Sequence, residues 1–204
     1  MAFPQRLASV LTGATYAQLN RWRDKGLVIP EVRPYRPPLY SFRDLILLRS
    51  LVRLRASTSM QKVSKAFRNL DLVDLTEHPS EYKFGTDGKT VYAGLNTGEA
   101  IDLTNKVGQI DFFTFEQLIE RFKNFRDEEV VNFRHPSKHV EVKLQRMGGW
   151  PTISGTRVPY DTIADLVDYR TVFPKDVPHF YPTVSAEAAE DAVRFQQRVE
   201  AVAG

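Results

Sequence analysis

Along residues 4 to 70 the apolar positions recur with a helical period, and capping signatures open several of the runs. Pro4 suits the first turn of a short helix reaching about Leu11, because its missing N–H has no partner there in any case. Thr12-Gly13-Ala14 breaks that helix. Thr15-Tyr16-Ala17-Gln18 reads as a capping box opening a second helix that carries Leu19, Trp22 and Arg23 and stops at Gly26. Leu27 to Tyr40 is proline-rich and reads as a stiffened loop. A further capping box, Ser41-Phe42-Arg43-Asp44, predicts a helix with Leu45, Leu48 and Val52 on one face and Arg49, Arg53 and Arg55 supplying charge. Ser59 starts another, with Val63, Phe67 and Leu70 inward.

Beyond residue 70 the pattern turns to alternation. Tyr82-Lys83-Phe84, Thr90-Val91-Tyr92 and Ala100-Ile101-Asp102-Leu103 predict short strands, turned at Asp87-Gly88 and Asn96-Thr97-Gly98 into a small antiparallel meander. Thr114-Phe115-Glu116-Gln117 caps a helix expected to turn Leu118, Ile119, Phe122 and Phe125 inward. His139 to Leu144 alternates as a strand, with Val140, Val142 and Leu144 on one face. A glycine- and proline-rich span follows, then a helix with Ile163, Leu166 and Val167 inward. A short helix over residues 174–180 precedes a last one, capped near Ser185 and carrying Ala189, Ala192, Val193, Gln196 and Val199. The expected class is α+β, mainly α, in three segments: 1–70, 71–136 and 137–204.

Charge sharpens this division. Residues 1–68 hold thirteen Lys and Arg against three Asp and Glu, whereas the remainder holds fifteen against twenty-two, although the whole chain is only +3. A basic segment joined to an acidic one suits a protein that neutralises phosphates at one end and meets another partner at the other. The chain has no cysteine, which excludes disulfides, thiolate metal sites and a thiol nucleophile. No apolar run reaches the roughly 18 residues of a membrane span, and the first residues lack the order of a signal peptide, so a cytoplasmic protein is expected.

Two helices joined by a three-residue glycine turn are helix-turn-helix grammar, in which the second helix enters the major groove of double-stranded DNA. That places Thr15, Tyr16 and Gln18 near base edges, with Asn20, Arg21 and Arg23 one turn on. Glutamine pairs with adenine and arginine with guanine through two hydrogen bonds each. Arg33, Tyr35, Arg36, Tyr40 and Arg43 are candidates for the phosphate backbone. Trp22 is read as core.

Other chemistry is weakly marked. Gly85-Thr86-Asp87-Gly88-Lys89-Thr90 misses the first glycine of a phosphate loop and is explained by a hairpin turn. His135 and His139 lie four apart, but Pro136 interrupts the helix that a metal pair would need. Asp161, Asp165 and Asp168 fall as on a solvated helix face, and the four histidines show no nucleophile pairing. No metal, cofactor or enzymatic activity is expected.

Gly13-Ala14-Thr15, Leu19, Trp22, Gly26-Leu27, Pro30, the wing ending at Tyr40 and Asp44-Leu45 together resemble the MerR-type winged-helix DNA-binding domains over about a third of the chain. Without cysteine, metal or redox sensing of the MerR kind is not implied. The string Gly-Gly-x-Pro-x-Ile-x-Gly-Thr-Arg-Val-Pro from Gly148 to Pro159, with Tyr181-Pro182-x-Val-Ser185 and Ala192, resembles an uncharacterised bacterial domain family over roughly the last 65 residues. Members of that family look like VapB-type antitoxins encoded beside PIN-domain ribonuclease toxins. The resemblance implies a type II antitoxin that neutralises a VapC-type toxin and represses its own operon, and a homodimer is expected because one helix-turn-helix rarely gives enough affinity alone. Arg157, Arg194 and Arg198 are then the candidates for toxin contact, since an arginine can pair with the clustered carboxylates of such a nuclease. Equally, the glycines of the string read as turn formers and Arg157 as one half of an ion pair inside the domain.

Overall fold

The computed structural model describes residues 2–68, 83–86, 91–94, 100–102, 111–112 and 114–202. Its first elements are β1 (Phe3–Pro4), α1 (Gln5–Thr12), α2 (Tyr16–Asp24), β2 (Leu39–Tyr40), α3 (Phe42–Ser57) and α4 (Met60–Arg68). Both expected capping boxes form: Thr15 and Gln18 cap α2, and Ser41 and Asp44 cap α3, each side chain covering the other residue's backbone N–H. Between α1 and α2 the chain turns on Gly13 at φ +78°, where an added Cβ would lie 2.4 Å from Cγ2 of Val130, so glycine serves both the left-handed backbone and the close packing. β1 pairs antiparallel with β2 and ties the chain start to the end of the proline-rich loop.

Next come β3 (Lys83–Thr86), β4 (Val91–Gly94), β5 (Ala100–Asp102) and β6 (Asp111–Phe112), an antiparallel sheet in the order β5-β4-β3-β6. The three expected strands are present over their described residues, Tyr82, Thr90 and Leu103 lying outside these, and β6 adds a fourth on the far side of β3. The Asp87-Gly88 and Asn96-Thr97-Gly98 turns and Leu70 lie outside the described residues. α5 (Phe115–Ile119) follows its capping box but is shorter than the pattern suggested. It ends at Ile119, Phe122 enters β7 (Phe122–Lys123), and β7 pairs with β8 (Glu129–Val130). Phe125 sits at the tip of that hairpin, exposed, with the Arg55 guanidinium 4.6 Å from its ring centre, so it is not the inward helical residue expected.

The last third holds β9 (Val140–Glu141), β10 (Thr152–Ile153), α6 (Tyr160–Leu166), α7 (Val177–Phe180) and α8 (Ala186–Glu200). β9 is shorter than the alternation suggested, and Leu144 is exposed rather than sharing the buried side of Val140 and Val142. On α8 Phe195 takes the core place expected of Gln196, packing edge-on against Tyr160 at 4.8 Å, while Gln196 is only half-buried.

The first and last segments share one hydrophobic core. α8 packs on α1, and Phe3 stacks on Trp150 with ring centres 5.7 Å apart. Gly149, at φ +84°, comes so close to Phe42 that a Cβ there would lie 2.4 Å from the ring. The largest departure from the sequence reading is Arg49, expected to supply charge on α3 and found fully buried. Its guanidinium donates to the carbonyl oxygens of Leu11, Leu118, Ile119, Glu120 and Val131, with Phe122 and Phe133 at 5.1 and 5.5 Å from it. Burial lowers its pKa to about 9, still protonated at neutral pH.

Candidate nucleic-acid interface

α2 is held by its inner side: Leu19 and Trp22 are buried, and Ala14 fills the turn below them. Its N-terminal polar residues are partly engaged. The Thr15 hydroxyl accepts from the N–H of Gln18 at 3.2 Å, and the Gln18 side-chain oxygen accepts from the N–H of Thr15 at 2.8 Å. The Gln5 amide donates to Asn20 Oδ1 at 2.8 Å and to the Tyr16 carbonyl at 3.3 Å. The cap uses the Gln18 side-chain oxygen and Gln5 that of Asn20, which leaves both amide donors for a partner.

The proline-rich loop forms a hairpin. Arg33 and Leu39 exchange two backbone hydrogen bonds, at 3.1 and 2.8 Å, around the projecting segment 34–38. The buried Asp44 carboxylate accepts from the N–H groups of Glu31 (2.9 Å) and Ser41 (2.7 Å), which pins both ends of the hairpin to the start of α3. At its tip Tyr35 is exposed, and the Arg23 guanidinium lies 5.2 Å from the centre of its ring. That contact joins α2 to the hairpin as one surface.

The arginines of this surface divide into engaged and free. Arg23 pairs with Asp24 at 3.0 Å, and Arg43 forms an ion pair with Glu31 at the base of the hairpin. Arg33 donates through Nε to the Pro37 carbonyl at 2.9 Å, which leaves its two terminal nitrogens outward. Arg21 and Arg36 are exposed and have no ion-pair partner among the described residues. Tyr40 is a correction: only 1% exposed, it belongs to the core and does not reach the surface. Burial pushes its hydroxyl up to about 12. The sequence reading also passed over Lys25, exposed four residues after Arg21 and lining with it a cleft of about 350 Å³ between α2 and α4. Its i, i+4 spacing from Arg21 was the available signal.

The glycine-rich string is a folded turn bound to both neighbours. Glu141, 3% exposed, accepts from the N–H of Gly155 at 2.9 Å and forms ion pairs with Lys143, at 2.8 Å, and Arg146. The Trp150 indole donates to Asp161 at 3.3 Å. Thr156 closes the turn, its hydroxyl donating to the Ile153 carbonyl and accepting from the N–H of Val158. Arg157 is exposed with no ion-pair partner among the described residues, so the ion pair suggested for it inside the domain is absent there. Arg194 is engaged by Glu190 at 3.5 Å and by the buried Asp191 at 3.4 Å, whereas Arg198 is exposed beside Val202. Among the described residues no three His, Cys, Asp or Glu side chains come together in a metal-binding group, and no helix is long and apolar enough to cross a membrane.

Residues 140–195 match a family described as a protein of unknown function, DUF433, and this is the segment that includes the glycine-rich turn and α6 to α8 up to Phe195. The chain is 31% identical over 107 residues to uncharacterised HTH-type transcriptional regulators of Mycobacterium bovis and Mycobacterium tuberculosis, covering 47% of this chain and 44% of each relative. It thus spans less than half the length of these curated relatives. No solved structure matches it. The chain is therefore similar to helix-turn-helix transcriptional regulators over about half its length and carries a DUF433 match in its last third.

Proposed function

We propose that this protein is a DNA-binding autorepressor that also serves as the antitoxin of a PIN-domain, VapC-type ribonuclease. The observation that carries the DNA-binding part is the joined surface of α2 and the hairpin. Its free cations, Arg21, Lys25, Arg36 and the terminal nitrogens of Arg33, flank half-exposed Gln18 and Asn20 amides on a helix fixed by its own cap. Phosphate contacts from the arginines set the register, and the amides and Arg21 read base edges. Two copies act together, because a single helix-turn-helix reads too few base pairs. The antitoxin part rests on the similarity of the Gly148–Pro159 string to antitoxin-associated domains and on Arg157, which projects from that turn without a partner among the described residues.

The test has two arms. Fluorescence anisotropy on the DNA upstream of the coding sequence should give specific binding that weakens by about 10³ to 10⁵ between roughly 50 and 200 mM salt for six to ten phosphate contacts. Co-expression with the adjacent open reading frame should give a stable complex, and that neighbour alone should arrest growth. A flat salt response would remove the DNA-binding reading. DNA binding with no toxic neighbour favours the second reading, a MerR-like transcriptional regulator without a toxin; the mycobacterial relatives are named as HTH-type transcriptional regulators.

A further inference from the structure

Away from the α2 surface, a cavity of about 610 Å³ opens between the start of α3, the end of α5 and the segment that follows β9. Its apolar lining comes from Phe42, Ile119, Phe133, Val142 and Leu144. Phe133, Val142 and Ile119 are core residues, so the floor is firm, and Phe42 meets Phe133 edge-on at 5.6 Å. Leu144, 53% exposed, forms one wall and gains a reason for standing clear of the core. Among the described residues the polar lining is one-sided: Arg134, His135 and Lys143 with the neutral Gln145, and no carboxylate. Glu141, next to Val142, is buried and already answered by Lys143 at 2.8 Å, by Arg146 and by the Gly155 N–H, and Glu120, next to Ile119, is not among the lining residues. Arg134 has no ion-pair or side-chain hydrogen-bond partner among the described residues.

We infer that this cavity is a binding site for an organic anion with an apolar body, a medium-chain or aromatic carboxylate or sulfonate. The volume lies within the roughly 300–1,000 Å³ range of small-molecule sites, and an apolar floor with a few polar groups at one side is their usual construction. Charge selects the ligand class. A carboxylate or sulfonate at the mouth gives Arg134 a charge-assisted partner, and a cationic amphiphile of equal length meets the same side chain with repulsion. The apolar body displaces water from Phe42, Phe133 and Leu144. This site stands apart from the DNA-binding and antitoxin readings and does not rest on them.

The experiment titrates the full chain with anilinonaphthalene sulfonate and follows its fluorescence. Saturable binding with single-site stoichiometry is expected, with displacement by decanoate and not by decyltrimethylammonium. Arg134→Gln should weaken binding about tenfold, the loss of a hydrogen bond to a charged group. Leu144→Gln should weaken it by a smaller factor, and Arg170→Gln, on the remote loop after α6, should leave it unchanged. All three side chains are exposed, so the variants should melt with the wild type. Non-saturating fluorescence, equal displacement by the cation, or unaltered affinity in both Arg134→Gln and Leu144→Gln would each overturn the inference.

Discussion

The α2–hairpin surface and the C-terminal module use the same side chain for opposite ends. In the module, Arg146 and Arg194 are tied to Glu141 and Asp191, carboxylates that are themselves buried and hydrogen-bonded to backbone or hydroxyl groups. There these two arginines answer carboxylates that the fold buries, while Arg157 and Arg198 of the same module stay exposed. At the α2 surface the nearby acids Asp24 and Glu31 pair with Arg23 and Arg43, and Arg21 and Arg36 are exposed with no ion-pair partner among the described residues. Net charge by segment therefore overstates how much of the basic end is available. What matters for a polyanion is the subset whose acid is missing.

Arg49 is the extreme of the tied class and should give the largest effect. Arg49→Met removes the donor to five carbonyls, four of them buried, and should cost about 3–5 kcal/mol, since each buried acceptor left unsatisfied costs about 1–3 kcal/mol. For a chain of this size that lowers the melting temperature by roughly 10 °C, read by circular dichroism. A change of only a degree or two would show that the carbonyls find water instead. Gly149→Ala, which drives a Cβ into Phe42 at a positive φ, should cost about 1–3 kcal/mol and be visible in the same melt.

The free class should behave in reverse. Arg21→Ala and Arg36→Ala should each weaken operator binding about tenfold and reduce the salt slope by about one while leaving the melting temperature unchanged. A stability loss as large as that of Arg49→Met would erase the distinction between the two classes. Arg43→Ala, whose guanidinium is paired with Glu31, should weaken binding less than Arg36→Ala.

The smallest effect concerns Asp168, which the aspartate spacing suggested was a solvated helix residue. It lies just after α6 and accepts from the Thr171 hydroxyl at 2.6 Å and from the N–H groups of Val172 (2.9 Å), Arg170 (2.8 Å) and Thr171 (2.8 Å). These bonds, the hydroxyl first, hold its carboxyl well below the usual range. Because the folded value is depressed, its contribution is full above the unfolded value and is lost as pH falls from about 4 toward the folded one. The melting difference between wild type and Asp168→Ala should be present at about pH 7 and narrow by about pH 3.

Legibility in the sequence followed the range of the interaction. The capping boxes at Thr15, Ser41 and Thr114 and the cap at Ser185 are settled by residues three apart, and all were readable. Phe122 and Phe125 were misplaced because the helical period carried past Ile119, where pairing with Glu129 and Val130 takes over. Arg49 was unreadable for a related reason: α3 is buried almost all round from Asp44 to Leu54, and the acceptors come from other parts of the chain. Of the candidate DNA contacts, the surface cations were legible from charge alone. Tyr40 was not, since an aromatic residue ending a loop looks the same whether it faces a phosphate or pairs with Phe3 in β1.

The Arg49 cradle also bears on the order in which the molecule is made. One of its acceptors lies 38 residues upstream, and the others lie 69 to 82 residues downstream. While the ribosome has released only the first two helices and α3, the guanidinium has Leu11 and none of its later partners. The nascent N-terminal segment therefore waits with a charged hole in it until Val131 has emerged, and a truncated message ending before that point should yield a chain unable to hold α2 in place.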